Sequence, residues 1–414
     1  MALAQPDPAA MAGDPAAPGV AARALHRRAR VVVLTDIEFW TPTYGSHSRI
    51  VAMLMALSAF YDVTVFCLSD AAADAEAAIA ARNWPFELVP YAAYRPAEAE
   101  DACKPGPLAN VPDLKKFVRH DWFAAAAAYL RQAGAVAGIV QYAKLAYLAD
   151  AFPPGCARIL DTHDAQSHRT RVFAAFGKVP SLAFGMEAER RILSSFDAVL
   201  GITTKDCYFF SRQLRLRNVL YAPHAVQARP APVAADPRRL VFVGAASEPN
   251  VEGLLWFLRQ VWPVLRSTST LSIVGTVGTL VPADLLADER IVRHGVVDDL
   301  SGVYERGIAI NPVFFGGGMK IKSLDALAAG CPLVTTEEGA RGLEPWEGKA
   351  FLVARSRSEF IGCVLALQND PAACARLGRA AIAAVDAHLA PMVAYRDLIG
   401  FLAACGPQGD RVRR

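Results

Sequence analysis

Short apolar runs alternate with amphipathic stretches along most of the chain, and this rhythm predicts strands and helices in turn. The first apolar run, VVVL at residues 31–34, ends at Asp36, and a loop reading TPTYGSHSR leads from it into a predicted helix over residues 50–60. A second apolar run follows at residues 63–68. A strand, a helix and another strand in this order predict parallel pairing, because the helix carries the chain back to the same end of the sheet.

The same rhythm continues in two series, which a proline-rich stretch at residues 223–237 separates. Strands are predicted at 138–141, 157–161 and 198–202 before it, and at 240–243, 271–274, 291–292, 308–311 and 333–335 after it. We therefore predict an α/β protein with two doubly wound, Rossmann-like domains. The predicted boundaries are a disordered leader at 1–29, a first domain at 30–223, a linker at 224–237, a second domain at 238–388, and a last amphipathic helix with a basic tail at 389–414.

The composition agrees with two domains and excludes several other classes of protein. A chain of 414 residues is longer than one hydrophobic core usually supports, and 53% hydrophobic with 20% charged residues fits a large core. The net charge of +3 gives no indication of nucleic-acid binding. The eight cysteines follow no CxxC or Cys/His spacing, which argues against a zinc site or a disulfide framework and favours a reducing compartment.

The amino-terminal sequence does not have the order of a signal peptide. Its basic cluster at residues 26–30 follows an Ala/Pro/Gly-rich stretch instead of preceding an apolar core. The chain also has no 18-residue apolar run without charge or proline. We therefore expect a cytoplasmic protein, and peripheral contact of surface helices with a membrane is left open.

The most informative stretch is NPVFFGGGMKIKSLDALAAGCP at residues 311–332, where an apolar run leads into three glycines, two lysines and an apolar helix. Gly316, Gly317 and Gly318 let the backbone pass close to a ligand. A helix that begins near Met319 would point its free N–H groups at the same place. The pattern predicts an anion site, and a glycine-rich turn without a ligand is the alternative.

Lys320 and Lys322 would add positive charge to this anion site. Residues two apart on an ideal helix diverge by about 200°, so both lysines can reach one phosphate only if Lys320 precedes the helix. Lys322 and Asp325 are three apart and share a helix face.

Residues 240–388 resemble the nucleotide-sugar-binding half of the group 1 glycosyltransferases, family 4 type, whose GT-B fold sets two Rossmann-like domains face to face across a cleft. The resemblance rests on RLVFVGAASEPNVEGLLWFLRQVWPVLR, on LSIVG and on the stretch from VRHGVVDD to EEGARGL, in family order and spacing. In many relatives two glutamates eight apart bracket the glycine loop and contact the donor. The matching positions are Gly317 and Asp325, so the resemblance assigns only Asp325, as an acceptor of hydrogen bonds from the ribose hydroxyls. It also implies that the last helix crosses back onto the first domain.

The resemblance extends to the glycine-bearing loop after the first strand. In the family this loop closes over the donor phosphates and the acceptor, which implies that Gly45 contacts the donor and that Ser46, His47 and Arg49 lie on the acceptor side. A plain strand-to-helix turn capped by a serine is the alternative.

A second polar stretch, LDTHD, ends the predicted strand at 157–161. His163 matches the strand-end histidine of the family, whose imidazole lies against the donor sugar and the reacting centre, and Asp164 would orient it or contact the acceptor. The alternative is a structural histidine.

In the second domain the loop after Gly244 reads AASEPN and lacks the Arg and Lys that many relatives place on the diphosphate. Lys320 and Lys322 are the substitutes that the sequence offers, with Asn250 as a further donor-binding candidate. The resemblance implies that Gly275 and Val296 hold the base, largely through backbone groups.

These features together predict a glycosyltransferase that moves a sugar from a UDP- or GDP-sugar to a glycan, a lipid-linked sugar or a small molecule, with retention of the anomeric configuration if the family mechanism applies. No metal or other cofactor is implied, because no Asp-x-Asp triplet occurs near either site. A nucleotide-sugar epimerase on the same fold and a non-catalytic subunit that binds a nucleotide sugar are the alternatives.

Overall fold

The computed structural model describes residues 28–41, 45–70, 78–94, 104–229, 236–297, 300, 302–305 and 307–406. The leader predicted at 1–29, except for its last two residues, and the basic tail from 407 onward lie outside the described residues, as do residues 230–235 of the proline-rich stretch.

The first sheet has seven parallel strands in the order β3-β2-β1-β4-β5-β6-β7. They are β1 (Arg30–Thr35), β2 (Asp62–Cys67), β3 (Glu87–Pro90), β4 (Ala137–Gln141), β5 (Ala157–Asp161), β6 (Ala198–Gly201) and β7 (Val219–Tyr221). The strand order reverses between β1 and β4. The carboxyl ends of these two strands therefore flank the crevice in which open parallel sheets bind ligands.

The second sheet has six parallel strands in the order β10-β9-β8-β11-β12-β13, which repeats the winding of the first. They are β8 (Arg239–Val243), β9 (Thr270–Val274), β10 (Ile291–Gly295), β11 (Ile308–Asn311), β12 (Leu333–Thr335) and β13 (Leu352–Val353). Its order reverses between β8 and β11, so its ligand crevice lies at the ends of these strands.

Helices connect the strands and cover both faces of each sheet. Among the described residues, the α-helices with defined bounds are Gly45–Ser58, His120–Ala133, Gln166–Ala175, Met186–Leu193, Thr204–Tyr208, Glu248–Trp256, Trp262–Leu265, Ile321–Ala328, Arg357–Asn369, Pro371–His388, Pro391–Ala394 and Arg396–Ala404, and residues 78–82 are also helical. The 3-10 helices are Tyr91–Tyr94, Pro107–Asn110, Lys115–Phe117, Ala143–Ala151, Thr276–Leu280, Ala283–Leu286 and Glu344–Trp346, and π-helical turns occupy Phe209–Gln213 and Phe257–Val261.

Each sheet separates two apolar clusters, one on each face. In β1, Val32 and Leu34 pack into one cluster, whereas Val31 and Val33 pack into the other. The continuous apolar runs of the sequence follow from this arrangement, because a strand covered on both faces has no solvated side.

The strands predicted from apolar runs are present, and the differences lie at helix starts and at short strands. The helix predicted at 50–60 begins five residues earlier, at Gly45, because the loop itself forms its first turn. The strands β3, β7 and β13 were not predicted; they are two to four residues long and only partly buried, so they lack a long apolar run.

The end of the chain returns to the first domain. Leu398 and Leu402 are buried in an apolar cluster of the first sheet. The Tyr395 hydroxyl donates to the Arg49 carbonyl at 3.4 Å, and the Tyr61 hydroxyl donates to the Ile399 carbonyl at 3.4 Å. The helix Arg396–Ala404 therefore ties the second domain to the first.

Aromatic and ionic contacts also join the two domains. Phe315 of the second domain packs edge-on against Phe173, with ring centroids 5.2 Å apart, and stacks on Phe176 at 4.8 Å. Lys178 pairs with Glu248 at 2.7 Å. These contacts hold the two crevices face to face.

Within the described parts of the chain, no helix is both long enough and apolar enough to span a membrane.

Candidate active site

A cavity of about 850 Å³ lies between the two domains. Residues that follow β1, β8, β9 and β10 line it, so it occupies the carboxyl ends of strands from both sheets. The segment 224–229, which leaves the first domain after β7, lines a further side.

Two helices begin at this cavity, one from each domain. Gly45 opens the helix Gly45–Ser58, Ile321 opens the helix Ile321–Ala328, and both residues line the cavity. A Cβ atom on Gly45 would lie 2.3 Å from Ile321 Cγ1, so only glycine lets the two helix starts come this close. Helix amino termini carry free N–H groups and a partial positive charge, which makes their meeting point suited to an anion.

Lys322 lines the cavity in the first turn of the second of these helices. Its Nζ donates to Asn250 Oδ1 and lies 4.5 Å from the centroid of the Phe242 ring. Within the described residues, no carboxylate lies within ion-pair distance of this ammonium group. Burial and, secondarily, the nearby charge of Lys320 lower the pKa of Lys322 to about 7.

Lys320 precedes the helix, as its N-cap residue, and also lines the cavity. Its charge is already compensated: Nζ pairs with Glu338 Oε1 at 2.7 Å and donates to the carbonyl oxygens of Gly317 at 2.9 Å and Gly318 at 3.2 Å. Arg341 pairs with the other oxygen of Glu338 at 2.8 Å. Of the two lysines, Lys322 is therefore the one without an anionic partner in the described residues.

The glycine loop lies beside the cavity and packs against the first domain. A Cβ on Gly317 would lie 2.5 Å from Asp164 Oδ1, and a Cβ on Gly318 would lie 2.7 Å from the same atom. Gly316 and Gly318 also have positive φ angles of 148° and 56°. The backbone of the glycine loop therefore approaches another group closely, as expected, but that group is Asp164. The three glycines do not line the cavity.

Asp325 lines the cavity one turn after Lys322 on the same helix. Burial raises the pKa of its carboxyl to about 7, and Arg229 opposes this shift. A carboxylate at the cavity wall can accept hydrogen bonds from two adjacent hydroxyls, and such bonds would favour its ionised form.

Three further donor-side residues line the cavity, namely Gly275, Val296 and Met319. Gly275 has a φ of 92°, and a Cβ there would lie 2.3 Å from the Gly244 carbonyl oxygen, so β8 and β9 end in close contact. Asn250, which also lines the cavity, donates from Nδ2 to the Ala245 carbonyl at 2.9 Å.

His163 does not line the cavity. Its Nε2–H donates to Gln141 Oε1 at 2.7 Å, and its ring stacks on Tyr142 with centroids 3.8 Å apart. Burial lowers the pKa of His163 to about 4, so the ring is neutral near pH 7. The structure thus places the histidine in a packed pair of rings, with its carbonyl oxygen facing the Gly318 turn.

Asp164 lies between the two domains, against the glycine loop. Burial raises the pKa of its carboxyl to about 6, an effect that Arg169 at 3.7 Å partly offsets. Its Oδ1 is buried and makes no hydrogen bond. Asp164 therefore fills the position where a side chain at Gly317 would stand.

The residues expected on the acceptor side divide into two groups. His47 lines the cavity and hydrogen-bonds to the Thr41 carbonyl, and Ser46 hydrogen-bonds to the Tyr142 side chain. Arg49 instead lies inside the first domain, 2% exposed, where it binds Asp161 through Nη2 at 2.8 Å and Nε at 2.9 Å. A guanidinium paired in this way supports β5 and is not presented to the cavity.

Sequence reasoning missed two features of the cavity. His224 lines it but falls at the start of the predicted linker, just after the short strand β7, which the sequence pattern did not predict. Trp40 and Trp84, with Phe39, form an aromatic wall on the side of the first domain. Trp84 follows no predicted strand, so the pattern gave no reason to select it.

The described residues contain no group of three or more His, Cys, Asp or Glu side chains that could hold a metal ion.

Comparison with known proteins gives a family for one part of the chain. Residues 237–370 match the family model described as glycosyl transferases group 1. A protein of Klebsiella pneumoniae, described as an uncharacterized 44.6 kDa protein in the cps region, is 26% identical over 190 residues. That match covers 42% of this chain and 47% of the relative, so it spans about half the length of the curated protein.

Solved structures match almost the whole chain at low sequence identity. A point mutant of S. aureus TarM in complex with fondaparinux, α-GlcNAc-glycerol and UDP superposes with a TM-score of 0.70 at 8% identity, over 90% of this chain and 99% of that one. Sucrose-phosphate synthase from Thermosynechococcus elongatus gives 0.68 at 14% identity, over 92% and 100%. Anabaena HepE in complex with UDP-glucose gives 0.64 at 13% identity, over 91% and 99%.

These matches confirm the predicted fold class, because the two parallel α/β sheets and their arrangement are those of GT-B glycosyltransferase structures. Residues 237–370 match the group 1 glycosyltransferases, and the chain as a whole has the GT-B fold.

Proposed function

We propose that this protein is a glycosyltransferase that binds a nucleotide-diphosphate sugar in the cavity between its domains and transfers the sugar to an acceptor held against the first domain. One observation carries the proposal: Lys322 stands beside the first turn of the helix Ile321–Ala328, with no carboxylate partner among the described residues, and Asp325 follows one turn later. An anion and a pair of hydroxyls at this spacing are what the diphosphate and ribose of such a donor would present.

The diphosphate would lie at the meeting point of the two helix starts. Lys322 and the N–H groups at Ile321 would stabilise the negative charge that develops on the leaving phosphate, the kind of stabilisation that contributes most to many enzymatic rates. Binding of this anion would raise the pKa of Lys322 and keep its ammonium group charged. Lys320 would attract the phosphate more weakly, since the Glu338 carboxylate compensates its positive charge.

The base would lie beyond Asp325, against the ends of β9 and β10. Gly275 and Val296 line that end of the cavity and offer mainly backbone groups, so base selection would depend on shape. The structures of HepE and TarM that resemble this chain hold UDP or a UDP-sugar, which makes uridine nucleotides the first donors to test.

The acceptor would pack on the aromatic wall formed by Phe39, Trp40 and Trp84. Aromatic faces bind the apolar faces of sugar rings and other amphipathic molecules. The candidate acceptors are a glycan, a lipid-linked sugar and a small molecule. We also propose a cytoplasmic location with peripheral membrane contact.

We further propose transfer with retention, as in the family 4 type. The acceptor hydroxyl would attack the anomeric carbon on the face from which the nucleoside diphosphate departs. The bond to the phosphate oxygen would break with its electron pair, and the acceptor proton would pass to that oxygen. His163 and Asp164 would then pack against the glycine loop and hold it in place, with the closest contact from Asp164 to Gly317. No metal or cofactor would be required.

The test is a donor screen on the purified full chain. UDP-glucose, UDP-N-acetylglucosamine and GDP-mannose are titrated by calorimetry and then incubated with and without candidate acceptors. Transfer or slow hydrolysis supports the proposal, and the anomeric configuration of the product, read by NMR, decides retention. Isomerisation of the donor would identify an epimerase instead, and tight binding without turnover under any condition would identify a binding subunit.

A further inference from the structure

His224 is a cavity residue to which the proposed reaction has so far given no role. It follows β7 by three residues, lines the cavity, and is only 2% exposed. Its Nδ1 is buried and makes no hydrogen bond. Buried polar atoms in folded proteins nearly always have a partner, so an unpaired nitrogen at a cavity wall is available to a ligand atom.

The chemistry of that ligand follows from the charge state of the ring. Burial and then the neighbouring Arg49 and His163 lower the pKa of His224 to about 3, and Asp161 opposes them only in part. Asp161 is itself bound at two points by Arg49, so its charge is largely compensated. The imidazole is therefore neutral at physiological pH, and a neutral imidazole suits a hydroxyl better than a phosphate.

The backbone beside His224 is also held in place before any ligand arrives. The Ala225 backbone hydrogen-bonds to the hydroxyl of Tyr395, a residue that is fully buried. The Val226 N–H donates to the Leu389 carbonyl at 2.9 Å. The returning end of the chain thus fixes the backbone that carries His224, which limits the positions that its ring can reach in the cavity.

The position of the ring along the cavity selects one part of the donor. The segment 224–229 lines the cavity and ends at Arg229, whose charge acts on Asp325. His224, at the other end of this segment, is close enough to Arg49, Asp161 and His163 of the first domain for their charges to act on it. With the ribose at Asp325, the group that reaches His224 is the sugar beyond the diphosphate.

We propose that His224 binds a hydroxyl of the transferred sugar and so contributes to the choice of donor sugar. This inference rests on the proposed function. It assigns His224 a role in sugar selection that is separate from nucleotide binding, which is left to Lys322 and Asp325.

The experiment compares affinity for UDP with affinity for UDP-glucose, UDP-N-acetylglucosamine and, with GDP as its reference, GDP-mannose. Calorimetry on the full chain gives, for each pair, the ratio of the Kd of the free nucleotide to the Kd of the nucleotide sugar. In His224→Ala this ratio is expected to fall about tenfold for the preferred donor, while the Kd of the free nucleotide changes less than twofold. His224→Asn, whose amide offers both a donor and an acceptor, is expected to keep part of the ratio.

His388→Asn is the matched control, because His388 ends an exposed helix turn far along the chain and does not line the cavity. If His224→Ala does not fold, His224→Asn is paired with deoxy analogues of the preferred donor. Removal of one particular hydroxyl should then weaken binding to the wild type by about tenfold and to His224→Asn by clearly less.

Two results would overturn the inference while the proposed function stands: an unchanged ratio in folded His224→Ala, or equal losses for free nucleotide and nucleotide sugar. A wild-type protein that binds none of the three nucleotide sugars and neither free nucleotide would overturn the proposed function and this inference with it.

Discussion

Replacing Lys322 by methionine should change stability and ligand binding in opposite directions. Methionine keeps most of the length of the lysine side chain and removes its charge. In the free protein the pKa of Lys322 falls from 10.5 to about 7. At about 1.4 kcal/mol per pKa unit, the charged form is disfavoured by at most about 5 kcal/mol. Because the side chain keeps partial contact with the cavity, about 1–3 kcal/mol is a more realistic penalty.

The sign of the pH dependence follows from the lowered pKa. The penalty is fully present below about pH 7 and disappears as the pH rises from 7 toward 10.5, since the folded protein releases its proton before the unfolded chain does. At pH 6 the free Lys322→Met protein should therefore melt at a higher temperature than the wild type. The two melting curves should converge as the pH approaches 10.5.

Ligand binding should respond in the opposite way. A charge-assisted hydrogen bond contributes about 1.5–3 kcal/mol, so the Kd of the nucleoside diphosphate should rise about 10- to 150-fold. Calorimetry measures this Kd, and differential scanning measures the stability of the same samples. Lys320→Met is the matched control: it leaves Glu338 with one cation fewer, so the free protein should become less stable. Unchanged nucleotide affinity in Lys322→Met would show that Lys322 does not bind the phosphate. A less stable free protein at pH 6 would show that its buried charge does not destabilise the fold.

Three further predictions concern the carboxylates and the pH profile. Asp325→Ala should weaken nucleotide binding by about 1–3 kcal/mol, because the ribose hydroxyls lose their acceptor, and Asp325→Asn should lose less affinity. Equal Kd values for the wild type and both variants would remove Asp325 from the site. Nucleotide affinity in the wild type should peak near pH 7, since the pKa of Lys322 and the pKa of Asp325 are both about 7 and binding favours the charged form of each. Lys322→Met should keep only the rise of affinity with pH that ionisation of Asp325 causes. A flat wild-type profile would contradict the assignment of both residues to the nucleotide site. Asp164→Asn should stabilise the protein at pH 8 by up to about 3 kcal/mol, because the raised Asp164 pKa of about 6 makes the wild type lose stability as pH rises from 4 to 6. Thermal unfolding of both proteins at pH 4 and pH 8 measures this difference. A stability gain of equal size at both pH values would argue against it.

The sheets were predictable because their strands are covered on both faces. Runs such as VVVL at residues 31–34 and LVFV at residues 240–243 can be satisfied only by burial on both sides, so the sequence alone indicates parallel strands. The two- to four-residue strands β3, β7 and β13 carry no such run, and their pairing depends on the sheet edges that they join.

The donor side of the site was predictable in part. Lys322 was expected from the loop and helix pattern, and Asp325, Asn250 and Gly275 were expected from the comparison with the resembled family; all four line the cavity. The pattern could not distinguish Lys320 from Lys322, because the compensating Glu338 lies eighteen residues further on and meets Lys320 only after the chain has folded.

Contacts between distant segments explain the remaining differences. The need for glycine at Gly317 comes from Asp164, a residue of the other domain. Arg49 is withdrawn into the first domain by Asp161, 112 residues away in sequence. His224 faces the cavity because the end of the chain returns and holds its segment. No local sequence signal encodes such pairings.

A crystal structure with bound UDP or GDP is the decisive test of the proposed donor site. We predict the β-phosphate against Lys322 Nζ at the start of the helix Ile321–Ala328, with both ribose hydroxyls within hydrogen-bond distance of Asp325. A nucleotide bound away from this helix, or one whose phosphates contact neither Lys322 nor the N–H groups at Ile321, would contradict it.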